Sequence, residues 1–139
     1  MWKKTYKWST KIYINADWWW SNGSRVRLWK TEIQKLANEI WMEIHISHFP
    51  PWTSKWNKIE HRMFSIISKN WRWKPLLDRA IVVNLIWNTT TKTGLKIQAE
   101  LDENIYEKWI KISNKELAKI NIEKEEFHGE WNYSILPTY

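Results

Sequence analysis

A chain that has to turn needs residues that tolerate left-handed backbone, and this one has almost none of the usual kind: three glycines in 139 residues, against fourteen tryptophans. Glycine enters φ > 0 without steric cost, and globular chains carry it at about 7%. Several of the tryptophans stand where glycine is expected. Trp52 follows Pro50-Pro51; with Pro51 second in a turn, Trp52 is third, and a type II turn requires φ > 0 at that place. Trp41 lies between an amphipathic segment and a strand-like one, the C′ position at which helices end in a left-handed residue. Trp18-Trp19-Trp20 separates a strand-like run from Ser21-Asn22-Gly23, where a loop is expected. Two readings follow. Either the gene uses UGA as a glycine codon and has been translated with UGA as tryptophan, or the protein is truly tryptophan-rich and binds sugars or membrane surfaces.

The length fits one domain or a piece of one, with enough chain to bury a core. Met1-Trp2-Lys3-Lys4 leads into Thr5-Tyr6-Lys7 without the apolar stretch of a signal peptide. The longest apolar run, Ala80 to Trp87, is interrupted by Asn84 and falls far short of the roughly 20 residues a membrane span needs. With no cysteine, disulfides and thiolate zinc sites are excluded, and a cytoplasmic protein is expected. Charge is uneven: residues 1–74 hold 14 Lys/Arg and 5 Asp/Glu, residues 75–139 hold 8 and 10. The basic half implies a polyanionic partner, nucleic acid first and anionic membrane second. A solvated lysine-rich surface is the ordinary alternative.

The first half reads strand, helix, strand, helix. Lys11 to Asp17 is a β-prone run ending on an acid. Val26, Trp29, Ile33, Leu36 and Ile40 form a helical stripe, with Ser24 or an earlier Ser/Asn as its cap. Met42 to Phe49 is strand-like and Pro50-Pro51 stops it. Thr53 or Ser54 then caps a second helix with Trp56, Ile59, Met63 and Ile66/Ile67 inward. Elements alternating in this way build a sheet with helices packed on it. Later segments are less regular: a helix within Leu76–Trp87, a strand over Gly94–Leu101, a capping box at Ser113-Asn114-Lys115-Glu116 opening a short helix, and a last strand over Phe127–Ile135.

Two acids stand out on this scaffold. Asp17 ends a strand, where ligand chemistry in open α/β sheets tends to sit. Glu60 lies at the edge of the second helix's apolar stripe, with Asn57 on the same face. A strand-end Asp and a helix-borne Glu supply oxygen ligands for a hard divalent cation from separate elements. A capping acid and an exposed surface charge are the plain alternatives. His45 and His48 are three apart in a strand and so on opposite faces, which makes them ordinary structural histidines.

The surrounding residues add a resemblance. Asn15-Ala16-Asp17-Trp18-Trp19-Trp20-Ser21-Asn22-Gly23-Ser24-Arg25 resembles the A-D-G-G-G-S-N-G segment of bacterial insertion-sequence transposases of the ISAzo-type DDE family. His48-Phe49-Pro50-Pro51-Trp52-Thr53-Ser54-Lys55-Trp56-Asn57-Lys58-Ile59-Glu60-His61-Arg62 is similar to the family's H-F-P-P-G-T-S-K-W-N-K-I-E-H-R. Asn70-Trp71-Arg72-Trp73-Lys74-Pro75, Thr89 to Lys96 and Glu126 to Tyr133 match as well. Departures are mostly Trp for Gly, at 18, 19, 20, 52 and 73, with 41 and 109 of the same kind. Trp29, Trp56, Trp71 and Trp131 match tryptophan in the family. The second group should therefore be buried, and Trp18 to Trp20, Trp52 and Trp73 should lie in loops, more exposed.

The resemblance implies an α/β, ribonuclease-H-like catalytic core over residues 1–75, as its C-terminal part, in strand-helix-strand-helix order. A family-specific α+β extension over residues 76–139 would pack on it. It implies a transposase that cuts and joins DNA at insertion-sequence ends and target with three carboxylates and two Mg²⁺ (or Mn²⁺) ions. Asp17 corresponds to the second Asp, at the end of a central strand, and Glu60 to the closing Glu; both are catalytic residues and metal ligands. Asn57 and His61 would support them, and Lys55, Lys58, Arg62, Arg72 and Lys74 would touch DNA phosphates. Residues 1–16 contain no acid, so the first Asp is expected upstream, in a missing segment, and the chain alone is expected to be inactive. The complete enzyme would be a homo-oligomer, cytoplasmic and nucleoid-associated, with no membrane partner. The other reading kept open is a non-catalytic nucleic-acid-binding module using basic and Trp side chains, bases stacking on the indoles.

Overall fold

Strand β1 (Lys11–Ala16) pairs in parallel with β2 (Glu43–His48), Lys11 opposite Glu43 and Ala16 opposite His48. Parallel neighbours need a long crossover, and helix α1 (Arg27–Ile40) supplies it. The computed structural model describes residues 8–138 apart from Trp19, Lys92, Thr93 and Leu95. On the far side of β2, β4 (Asn132–Ile135) runs antiparallel, and β3 (Ile122–Lys124) pairs antiparallel with β4, giving the sheet order β1-β2-β4-β3. The architecture is mixed α/β. The described residues divide into two compact units, one from 1–54 with 108–139 and one from 55–107.

In the first unit, alternation along β2 sends Ile44, Ile46 and His48 inward, as the twofold period of a strand requires. They meet Ile33, Ala37 and Ile40 of α1, with Ala16, Met42, Tyr133 and Ile135 completing the core. On the other face, Lys11 Nζ lies 2.7 Å from Glu43 across the register pair, and the lysine's hydrogen bond holds the Glu43 carboxyl below its ordinary pKa. Buried Gln34 ties α1 to both ends of the β3–β4 segment. Its Nε2 donates to Leu136 O at 2.8 Å, and its Oε1 accepts from Asn121 N at 2.7 Å. The helix differs from expectation in two respects. Leu36 is exposed and Ala37 fills the core, because a 3.6-residue period running through Ile33 and Ile40 selects position 37. The N-cap is Val26, without a side-chain cap, since Ser24 is buried two residues earlier.

In the second unit, α2 (Lys58–Trp71) packs on α3 (Arg79–Trp87), and Asn70 Nδ2 donates to Leu85 O at 2.7 Å. Asn57 caps α2, not Thr53 or Ser54, because a 3₁₀ turn over Ser54–Trp56 delays the helix and Thr53 Oγ1 bonds back to Pro50 O. Ile67 is buried and Met63 and Ile66 half-buried, but Trp56 and Ile59 are exposed. Within this unit α3 meets the C-terminal part of α2 and leaves its first turn open. Among the described residues of Gly94–Leu101 no strand forms; a single bridge joins Thr90 to Lys96. The capping box at Ser113 and Glu116 opens α4 (Asn114–Leu117) as expected. Residues 126–131 turn, so the last strand is shorter than the run from Phe127 suggested, and β3 was not anticipated. Gly129 belongs to that turn, where a Cβ would lie 2.5 Å from Glu125 O.

Five described non-glycine residues have positive φ, and four of them are tryptophan: Trp41 (54°), Trp52 (68°), Trp73 (67°) and Trp109 (64°). Tryptophan is about one residue in ten of this chain, so chance would place at most one there, and a bulky residue in this region is an outlier. Trp41 ends α1 in the left-handed conformation with its N–H on Ala37 O, as the sequence led us to expect. At Trp52, Thr53 N closes on Pro50 O at 3.2 Å, the turn that needs φ > 0 at its third place. Trp73 repeats the pattern: Lys74 N bonds Trp71 O at 3.0 Å, and Arg72 sits at φ −54°, ψ 126°, the second place of a type II turn.

Burial separates the two tryptophan groups incompletely. Trp52, Trp73 and Trp109 are 92%, 95% and 92% exposed, while Trp29, Trp71 and Trp131 are half-buried. Trp56, expected inside, is 55% exposed, for the reason given for the start of α2. Trp18, expected outside, is half-buried because it finds ring partners: Trp131 edge-on at 5.1 Å and the Arg25 guanidinium at 5.2 Å. Trp2 and Trp19 lie outside the described residues.

Candidate active site

Asp17 leaves the C-terminal end of β1, which is the outermost strand of the sheet among the described residues, not a central one. Its backbone is anchored by a buried relay. His48 Nδ1 lies 3.2 Å from Asp17 O and His48 Nε2 lies 2.9 Å from the Tyr133 hydroxyl. A carbonyl can only accept, so Nδ1 carries the proton and the tyrosine donates to Nε2. Burial lowers the His48 pKa and raises that of Tyr133 to about 12, which keeps both partners neutral. The relay joins β1, β2 and β4 at the point where Asp17 emerges. Sequence reading missed it. The contact from 48 to 133 spans 85 residues, and only the inward parity of His48 pointed that way.

The Asp17 side chain has a different character. Its Oδ1 is buried and takes no hydrogen bond from the described residues. A buried carboxylate oxygen without a donor is costly, and a hard cation is one group that satisfies it. Among the described residues no three His, Asp or Glu side chains converge as a complete metal cluster.

Glu60 belongs to the second unit, in the first turn of α2. It is exposed and locally engaged. Asn57 Nδ2 donates to Glu60 Oε2 at 2.5 Å, and Glu60 N donates to Asn57 Oδ1 at 3.4 Å, a reciprocal cap. Asn57 and Glu60 thus hold each other across this turn. His61 is exposed on the same turn, its N–H on Asn57 O. Lys55, Lys58, Arg62, Arg72 and Lys74 are all exposed in this second unit, the first three around the start of Glu60's helix and the last two just past its end. His45 and His48 do point to opposite faces. His45 stacks on Tyr13 at 5.2 Å and meets Ser134 Oγ at 3.1 Å, so neither histidine is placed as a shared metal ligand. No helix among the described residues is long and apolar enough to cross a membrane.

No curated protein and no solved structure gives a match to the chain. A family model does: the one described as Rhodopirellula transposase DDE domain matches residues 1–137. That span takes in the strand end at Asp17, the helix of Glu60 and the closing strand β4 together, and the chain belongs to the ISAzo-type DDE transposase family.

Proposed function

We propose that the chain forms the C-terminal part of a ribonuclease-H-like catalytic core (residues 1–75), which cuts insertion-sequence ends and joins them to target DNA. Residues 76–139 are then the family-specific extension, whose β3 and β4 enlarge the core's sheet. Asp17 serves as the second aspartate of a three-carboxylate set and Glu60 as its closing glutamate. The observation that carries this is the buried, donor-free Oδ1 of Asp17 at a strand end anchored by His48 and Tyr133. Asn57 holds Glu60 by its reciprocal cap, with His61 beside it, and Lys55, Lys58, Arg62, Arg72 and Lys74 contact the DNA backbone. Two bound Mg²⁺ or Mn²⁺ ions would activate the attacking oxygen and stabilise the leaving one. The outer edge of β1 is unpaired among the described residues, and a further strand bearing the first aspartate can add there. The chain holds two of the three carboxylates, so alone it binds metal weakly and cuts nothing.

The alternative, a non-catalytic nucleic-acid-binding module, is decided by the same experiment. The chain joined to a family segment carrying the first aspartate should nick insertion-sequence-end DNA only with Mg²⁺ or Mn²⁺. Asp17→Asn or Glu60→Gln should reduce the rate at least 10³-fold, on the scale of removing one essential charge-stabilising group. Salt-sensitive DNA binding with no metal-dependent cleavage, and no response to either substitution, would leave the binding module standing.

A further inference from the structure

The first unit holds a second concentration of positive charge, apart from the basic side chains around Glu60. A cavity of about 300 Å³ opens between the start of α1 and the β3–β4 turn, lined by Arg25, Lys30 and Lys124 together with Trp18, Ser24 and Tyr133. We infer that this cavity is a binding site for a phosphate of the DNA backbone. It would take up the strand next to the one-residue step from Asp17 to Trp18. The inference rests on the DNA-transposase reading for the identity of the polyanion, but not for the presence of an anion site.

Three observations carry it. First, three cations line one cavity, and burial works against one of them. Lys30 is half-buried with its Nζ 5.3 Å over the Tyr133 ring. Burial first, and then the like charge of Lys124, lower its pKa. An anion between the two would favour the charged form of Lys30 and so oppose both effects. Second, α1 begins two residues after Arg25 and its first turn has no side-chain cap, so its amide dipoles add to the same field. Third, the one acid among the described lining residues, Glu130, has His128 3.2 Å away as its contact; Lys124 also acts on it, so Arg25 and Lys30 are the cations for which no acid of the lining is engaged. The volume equals roughly ten waters at ~30 Å³ each, ample for a phosphodiester and its hydration. Trp18 partly fills the mouth, with Arg25 held over its ring. Glycine at position 18 would open the mouth and release the guanidinium.

The test is binding of a labelled DNA duplex to the whole chain in EDTA, so that no cleavage enters the reading, across a salt series. Arg25→Ala with Lys124→Ala should weaken binding at least ten-fold at 0.15 M salt and flatten the log–log salt slope by about 1 to 2, one unit for each phosphate no longer neutralised. Lys30→Gln should act in the same direction, and Arg25→Glu more strongly. Lys35→Ala, whose charge is already paired with Glu32, should change neither quantity. Trp18→Gly should tighten binding. A double variant no weaker than Lys35→Ala overturns the proposal. If inorganic phosphate binds in a manner lost in the double variant while duplex binding is unmoved, the ligand is free phosphate and the DNA assignment falls. Loss of this site's effect with metal-dependent cleavage intact refutes the cavity alone. A normal cavity effect with no cleavage refutes only the transposase chemistry.

Discussion

If tryptophan stands at glycine positions, putting glycine back should stabilise the protein at some sites and damage it at others, and the structure says which. At Trp52, Trp73 and Trp109 the indole is more than nine-tenths exposed. A tryptophan offers about 250 Å², so these three bury on the order of 20 Å² or less, worth under ~0.5 kcal/mol. Against that stands the left-handed backbone, which costs an L-residue with a Cβ roughly 1–2 kcal/mol. Glycine returns about 0.4–1 kcal/mol of that through its freer unfolded chain. The net for Trp52→Gly, Trp73→Gly or Trp109→Gly is a gain of about 0.5 kcal/mol each, or roughly 2–4 °C in Tm for a unit of this size. Trp52 and Trp109 share the first unit and Trp73 belongs to the second, so the shifts should appear in separate transitions if the units melt apart.

Two controls can refute this. Trp52→Ala removes the indole but keeps a Cβ at φ 68°, so it should gain little; equal gains for alanine and glycine would show that the benefit came from losing an exposed aromatic, not from relieving backbone. Trp41 is left-handed but half-exposed. Its substitution by glycine forfeits about 3 kcal/mol of burial against the roughly 1–2 kcal/mol regained, and should destabilise by about 1–2 kcal/mol. Half-buried Trp29 has a helical backbone, and Trp29→Gly should lose about 4 kcal/mol from burial and helix propensity together. The gene gives an independent check: positions 18, 19, 20, 41, 52, 73 and 109 should read UGA, and 29, 56, 71 and 131 UGG. UGG at the triple would end the recoding reading.

The relay at Asp17 predicts a pH effect. His48 has its pKa depressed on folding, so the unfolded chain takes up its proton first. Stability is full above the ordinary value of about 6.5 and falls as pH drops from there toward the folded pKa. Urea midpoints between pH 7 and 5 should decline in the parent and decline less in His48→Gln. Glu43 contributes in a lower window, below its ordinary carboxylate range, because its pKa too is depressed on folding. Gln34→Leu should cost about 1–3 kcal/mol for each of the two backbone groups it orphans, at Asn121 and Leu136. Hydrogen exchange at the Asn121 amide should rise accordingly.

Local signals served the sequence reading well. β1, β2 and the capping box at Ser113 follow from patterns within a few residues, and so do the left-handed sites at Trp41 and Trp52, where a helix end and a Pro-Pro pair fix what the backbone must do. The misses are places where a distant residue decides. Ala37 displaces Leu36 from the stripe because the sheet faces that side of α1. Gln34 is buried because the loops flanking β3 and β4, about ninety to a hundred residues away, offer it a donor and an acceptor. Nothing within ten residues of His48 announces Tyr133.

The two acids show where a sequence pattern stops discriminating. Glu60 follows Asn57 by three residues at the start of a helix, a spacing that equally suits a cap and a catalytic carboxylate held in place by one. Its contacts, taken alone, are fully explained by the cap. Asp17 resists that explanation. It caps none of the described α-helices, and a strand-end acid kept for solubility would turn both oxygens to water, yet its Oδ1 is buried and meets no donor among the described residues. Native structures satisfy nearly all such groups, and a cation from outside these residues is one partner that would meet that oxygen. Asp17→Asn tests this without any assay of cleavage. If the oxygen is kept for a cation, the substitution should leave metal-free stability unchanged or raise it, by removing an uncompensated charge, and should abolish stabilisation by Mn²⁺. A loss of metal-free stability in the asparagine variant would show instead that the carboxylate is part of the fold.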